Sequence, residues 1–181
     1  VCTNTFIISE QIAKYYQKRI EFDNEDVIDY WTSIYSDALI KNYNDKLNFN
    51  DLFERPPIEV TFQFKNNQIV FYNIHIKPDD AFNEIGRLEN LLQNVDEKNK
   101  ILLGDLNADC SYYDTPPSHF LDWNWIIRDD KDTTSSLTNC AYDRIIVTQN
   151  ANLLVSNYGI YTEGIDKEVS DHYLVWVEIK I

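Results

Sequence analysis

The sequence predicts a layered α/β or α+β domain, and three observations predict it. Short runs that alternate in polarity or are solidly apolar recur from residue 59 to the C-terminus, and runs of that kind read as strands. Among them lies one stretch with an apolar repeat at three- and four-residue steps, the stripe of a helix. The composition supports a packed core: 181 residues, 44% hydrophobic and 14% aromatic, are one domain's worth of chain and too apolar for disorder. No repeat, low-complexity tract or linker divides the chain, so residues 1–181 read as a single domain, with the polar, asparagine-rich stretch Asn42–Asp51 its loosest part.

The elements follow in order. Glu59-Val60-Thr61-Phe62-Gln63-Phe64 alternates with period two, Lys65–Gln68 reads as a turn, and Ile69–Ile76 is a second strand, together an antiparallel hairpin. Pro78-Asp79-Asp80 starts a helix, with acids where the N-terminal dipole favours them. Phe82, Ile85, Leu88, Leu92 and Val95 form its apolar stripe. Ile101–Leu103 is the next strand, and Arg144–Val147 and Tyr173–Ile179 are two more.

The net charge of −14 argues against a protein that holds nucleic acid on a basic surface, because such binding is largely phosphate neutralisation. It leaves room for an enzyme that meets phosphate through a bound divalent cation, since that ion can be the largest local charge in a site. No apolar run approaches the 18 residues that would read as a membrane-spanning helix. The chain begins at Val1 and contains no Met and no visible signal peptide, which reads as a processed chain or a fragment.

Polar residues cluster at strand ends. In "ILLGDLNADCSYYD" the apolar strand Ile101–Leu103 runs into Asp105, Asn107 and Asp109, oxygen-bearing side chains at alternating positions. Either this is an acidic turn, for which Asp and Asn have local hydrogen-bonding reasons, or the strand delivers oxygen ligands to a cation. His75 interrupts another strand, Asp143 precedes Ile145–Val147, and Asp171-His172 precedes the last strand. Singly, each has an ordinary structural reading. Together, two histidines and several carboxylates at the ends of apolar strands are what metal-assisted phosphodiester hydrolysis requires. Oxygen ligands suit Mg²⁺ or Ca²⁺, and histidines suit proton transfer and stabilisation of charge on a pentacoordinate phosphate.

These residues also carry a resemblance. "GDLNADCSY" (104–112), "DTTSSLTNCAYDRI" (132–145) and "SDHYLVWV" (170–177), with "NDLFERPP" (50–57) and "NIHIKPDDAFNEI" (73–85) in the same order, are similar to successive signatures of the deoxyribonuclease I family, within the endonuclease/exonuclease/phosphatase superfamily. The resemblance runs from about Phe6 to Ile181. It implies a four-layer α/β/β/α sandwich of two mixed, mainly antiparallel sheets with flanking helices, here without the N-terminal strands. It also implies a divalent-metal-dependent endonuclease acting on DNA.

Position by position, the resemblance makes His75 and His172 the catalytic histidines and Asp143 the acid that orients the second of them. Asp105, Asn107 and Asp171 match divalent-metal residues for Mg²⁺ or Mn²⁺, Asn107 lying also at the phosphate. Arg55, Ser111, Tyr112, Thr138 and Tyr142 match phosphate- or DNA-contacting groups, Arg because its fork meets phosphate oxygens bidentately. Asp132, Thr134 and Thr138 fall in a stretch that resembles a Ca²⁺ loop. Cys110 and Cys140 match a disulfide pair, leaving Cys2 over, and a disulfide implies a secreted, extracellular protein, or one within the secretory or endolysosomal pathway. The resemblance implies a glutamate partner for His75 near Tyr16–Glu21, and actin contact through Phe6–Glu10. A monomer without membrane contact is expected. The family's main metal-binding glutamate would precede Val1, so this chain alone is expected to be a poor nuclease. Two other classes stay open: a superfamily phosphoesterase acting on another phosphoester, and a catalytically impaired fragment or binding protein.

Overall fold

The computed structural model describes residues 39–42, 52–64 and 67–180. Within them, six strands form one mixed sheet. They are β1 (Leu39–Asn42), β2 (Ile58–Phe64), β3 (Asn67–Asn73), β4 (Lys100–Asp105), β5 (Asn124–Trp125) and β6 (Asp143–Val147), in the spatial order β1-β2-β3-β4-β6-β5. The β3–β4 pair is parallel and every other pair in this sheet is antiparallel. The helix α1 (Ala81–Gln93), entered through a 3₁₀ turn at Pro78–Asp80, makes the β3-to-β4 crossover, the length of connection that a parallel pair needs. After the short helix α2 (Gln149–Asn152), β7 (Val155–Tyr161) and β8 (Leu174–Ile179) pair antiparallel as a second, smaller sheet.

Alternating side chains divide each central strand between two cores, as a period of two dictates. Val70 and Tyr72 of β3, Leu102 of β4 and Ile146 of β6 pack toward Ile85, Leu88 and Leu92 of α1. Ile69 and Phe71, Ile101 and Leu103, and Ile145 and Val147 pack on the other face, against Val175, Val177 and Ile179 of β8. Helix, large sheet and small sheet are therefore three successive layers of the expected sandwich. The fourth layer, the upstream strands, Cys2, the actin-type segment Phe6–Glu10 and the Tyr16–Glu21 strand lie outside the described residues.

The hairpin of β2 and β3 forms as the sequence predicts, with Phe64 opposite Asn67. The regular ladder of the second strand stops at Asn73 rather than Ile76, and Gly104 accounts for it. At φ +137°, a Cβ on Gly104 would lie 2.0 Å from the carbonyl oxygen of Ile74. The chain after Asn73 runs on beside β4 at that close approach, Ile74 N–H donating to Leu103 O at 3.3 Å and Ile76 N–H to Asp105 O at 2.9 Å. His75 thereby leaves the sheet beside Asp105, the last residue of β4.

Cys110 and Cys140 are bonded, with their Cα atoms 5.9 Å apart and a separation of 30 positions in sequence. The bond fastens the turn after β4 to the segment that leads into β6. Replacing both cysteines with alanine should lower unfolding free energy by about 2–4 kcal/mol, the scale for a loop of this length, read by denaturant titration of the oxidised and mutant proteins. An unchanged midpoint would mean the turn is held by its hydrogen bonds alone.

Candidate active site

Two acids meet at the centre. Asp105 ends β4, Asp143 begins β6, and the antiparallel register sets them opposite each other, so their side chains project to one face as a cross-strand pair. Both are buried. Burial, and secondarily the charge of Asp143, pushes the Asp105 carboxyl up to about 6.

His172 is brought to this pair by the loop that precedes β6. Thr134 bridges to His172. Tyr173 N–H donates to Thr133 O at 2.8 Å, Ser135 N–H to Asp171 O at 2.9 Å, and the Ser135 hydroxyl to Ser170 O at 2.6 Å. Held this way, His172 Nδ1 lies 2.6 Å from Asp143 Oδ2 and its Nε2 lies 3.9 Å from Asp105 Oδ2. The hydrogen bond to Asp143 is the main reason the imidazole is pushed up to about 9. His75 approaches from the other side, its Nε2 3.4 Å from Asp105 Oδ2. Its pKa moves the opposite way, lowered first by burial and then by the charges of Arg55 and His172.

Asn107 closes the turn under these groups. Its backbone is left-handed, φ 48°, a conformation asparagine tolerates better than most residues. Its N–H donates to Asp105 Oδ1 at 3.1 Å and its amide Nδ2 to Ile76 O at 2.9 Å, joining the β4 exit to the His75 segment. Tyr142 stands next to His172 with ring centres 6.2 Å apart, and Tyr112 lies 5.6 Å beyond Tyr142.

The remaining expected residues fall around this centre in different ways. Asp171 is exposed, though its charge reaches both Asp105 and His172. Arg55 is exposed, and its charge reaches His75. Ser111 sits exposed on the turn after Cys110. The Asp132, Thr134 and Thr138 trio is gathered: Asp132 Oδ1 accepts from Thr134 N–H at 3.0 Å, and the Thr134 hydroxyl lies 2.7 Å from Thr138 O.

For a cation, among the described residues the His, Cys, Asp and Glu side chains whose ligand atoms lie within 4.8 Å of one another are Asp105, Asp143 and His172. Asn107 and Asp171, the companions of Asp105 expected from the sequence, adjoin this set: Asn107 N–H donates to Asp105 Oδ1, and the charge of Asp171 reaches Asp105. Two buried carboxylates at adjoining strand ends, one of them held protonated to an unusually high pH by burial and by its neighbour, suit a hard divalent ion.

Sequence reasoning missed the braces. Thr133 Oγ1 accepts from Asp143 N–H at 3.0 Å and donates to Cys140 O at 3.2 Å, and Asp109 Oδ2 accepts from Ala141 N–H at 2.7 Å. Arg144, fully buried directly after Asp143, reaches Ala108 O at 2.6 Å, Ile127 O at 3.0 Å and Asp129 at 2.8 Å. The available signals were the run of hydroxyls in 133–136 and an arginine inside an otherwise apolar strand.

The fold and its strand-end site define the class of the chain, the endonuclease/exonuclease/phosphatase fold. An endonuclease/exonuclease/phosphatase family protein from Leptotrichia buccalis superposes with TM-score 0.54 at 18% identity, covering 80% of this chain and 61% of that one. The endonuclease domain of TRAS1, a telomere-specific non-LTR retrotransposon, gives 0.53 at 15% identity, covering 80% and 70%. Within that fold the chain is similar in sequence to deoxyribonuclease-1. It is 34% identical to deoxyribonuclease-1 of Ovis aries over 157 residues, covering 72% of this chain and 59% of that protein. Against the Bos taurus and Homo sapiens enzymes the identities are 34% and 33%, covering 72% of this chain and 55% of each relative. The chain thus spans little more than half the length of these relatives. No family model matches it.

Proposed function

We propose that this chain carries the hydrolytic centre of a divalent-metal-dependent endonuclease that cleaves phosphodiester bonds of DNA. The observation that supports it above all is the pair of histidines flanking Asp105, with one pKa lowered and the other raised to about 9. Titratable groups whose environments push them apart are the mark of an acid and a base working together.

At neutral pH His75 is neutral and accepts the proton of an attacking water. His172 is cationic, oriented by Asp143, and gives its proton to the departing oxygen. Asp105, with Asn107 and Asp171, would hold Mg²⁺ or Mn²⁺, and that ion when bound supplies positive charge to the phosphate oxygens. Such a charge matters on a protein of net charge −14, which otherwise repels its substrate. Arg55, Tyr112, Thr138 and Tyr142, with Ser111 at the margin, contact the phosphate and its neighbours. The Asp132, Thr134 and Thr138 loop would take Ca²⁺ through its oxygens. The disulfide favours an extracellular or secretory setting, and no described helix is long and apolar enough to cross a membrane.

Nicking of supercoiled plasmid by the chain joined to the upstream strands that the resemblance implies tests this reading. Activity should require Mg²⁺ or Mn²⁺, vanish with a chelator, and exceed activity on phospholipid or inositol phosphate substrates. Its pH profile should be bell-shaped: the acid limb lies below the usual histidine range, where His75 gains a proton, and the alkaline limb lies near 9, where His172 loses one. Hydrolysis of inositol phosphates without DNA nicking would assign the site to the other superfamily chemistry.

A further inference from the structure

Glu84 belongs to α1, on the face that buries Ala81, Ile85, Leu88 and Leu92, and only 2% of it is exposed. Glutamate is almost never buried without strong partners. Both of its partners are backbone amides of loops next to the site. Oε1 accepts from Glu54 N–H at 2.8 Å, and Oε2 accepts from Lys77 N–H at 3.0 Å. The first loop carries Arg55 one residue later, and the second carries His75 two residues earlier. One carboxylate therefore joins the two segments, an oxygen for each, through charge-assisted hydrogen bonds shielded from water.

The same helix fastens the Arg55 segment a second time, since Arg87 Nη1 donates to Leu52 O at 3.0 Å while pairing with Asp80 at 2.9 Å. Outside, Lys77 and Glu54 pair at 2.8 Å between half-exposed side chains, a contact of the kind that contributes little. Arg55 is itself half-exposed and touches its neighbour Glu54 only at 3.8 Å, so its position is set by its backbone. The backbone at that point is held by Glu84.

We propose that Glu84 is a positioning residue, whose carboxylate fixes the Arg55 segment against the His75 segment so that guanidinium and imidazole meet one DNA phosphodiester at a set separation. This rests on the DNA-cleaving reading of the site given above. Displacement of such a pair by about 1 Å can lower turnover about 10²-fold, so a remote helix residue of this kind has catalytic leverage without touching substrate.

The test is a double-mutant cycle between Glu84→Gln and Arg55→Ala. Glutamine keeps the shape but offers an NH₂ where an acceptor is needed, so one loop is released. Glu84→Gln and Arg55→Ala should each lower kcat/KM for plasmid nicking about tenfold, with the double variant losing clearly less than the product of the two, because the share of the Glu84→Gln loss that passes through Arg55 is already gone. Losses that multiply would mean Glu84 supports the fold generally, and a wild-type rate for Glu84→Gln would overturn the proposal as well. Where Glu84→Gln fails to fold, Glu84→Asp, charged but too short to span both amides, takes its place in the cycle. The same cycle read by fluorescence anisotropy of a labelled DNA duplex, in a His75→Ala background with Mg²⁺, needs no turnover. Coupling in binding without any nicking by the parent protein joined to the upstream strands would sink the nuclease reading and leave the clamp standing. Nicking with additive losses sinks the clamp alone, and absence of both binding and nicking overturns both.

Discussion

Replacing His172 with alanine is expected to lower plasmid nicking at least about a hundredfold, the scale of a lost general acid. The imidazole faces both central acids, Asp143 at 2.6 Å and Asp105 at 3.9 Å. Without it no proton is available to the departing oxygen, and two buried carboxylates face each other without a cation between them. The fold pays for this only in part. The folded pKa of His172, about 9, lies above its ordinary 6.5, so the pair with Asp143 adds stability that is fully present below pH 6.5 and is lost as pH rises through 9. His172→Ala should therefore melt lower than the parent at pH 7, by on the order of 1–3 kcal/mol, and approach it above pH 9. Activity at a temperature well below both melting points separates the two effects. A His172→Ala protein that is folded and nicks DNA at the parent rate would remove this histidine from the chemistry.

The site was legible in the sequence because each of its acids adjoins an apolar strand that can be recognised by itself. Asp105 follows Ile101–Leu103, and Asp143 leads into Ile145–Val147, so two short solid runs locate two strand-end carboxylates. That those two face each other was not legible. It depends on the register of β4 against β6, a pairing between residues 38 positions apart, and no local pattern carries it. For the same reason the sequence assigns Asp143 to His172 alone, while the strand register also sets it opposite Asp105.

The missed elements have local causes. β7, Val-Ser-Asn-Tyr-Gly-Ile-Tyr, breaks its alternation with a bulge between Val155 and Asn157 and a glycine under Trp176. β5 is two residues long, and β1 is the four-residue Leu-Ile-Lys-Asn. Runs so short are held by pairing with neighbours rather than by their own periodicity. Glu84 was hidden differently. It lies within an apolar helical stripe of which Ile85, Leu88 and Leu92 are buried while Phe82 is exposed and Val95 falls past the helix end, and a carboxylate that accepts from two distant backbone amides leaves no mark in the sequence beside it.

Asp105→Asn should make the protein more stable and, at the same time, inactive. The Asp105 carboxyl has a pKa of about 6 in the folded chain against an ordinary 3.8, with burial the larger cause and the charge of Asp143 the second. Above about pH 6 the group is ionised in both folded and unfolded states, and the fold bears the whole difference, about two pKa units or roughly 3 kcal/mol. Between pH 6 and 4 the folded protein takes up a proton first and the penalty fades; below about 4 it is gone. Asparagine has the same shape, keeps an oxygen to accept from Asn107 N–H, now at 3.1 Å from Oδ1, and carries no charge. Part of its gain is offset, because His75 at 3.4 Å and His172 at 3.9 Å lose a negative partner. The net expectation is a gain of about 1–3 kcal/mol at pH 7 that shrinks toward zero by pH 4, measured by denaturant unfolding with a chelator present so that no bound ion compensates the parent. Nicking should fall at least about a hundredfold, since the neutral amide neither attracts a divalent ion nor balances the two histidines. Strain of this sign is what a functional site stores at the expense of stability. A variant that is equally stable at pH 7, or whose gain is the same at pH 4, would show that the buried charge of Asp105 is not what the fold holds in tension.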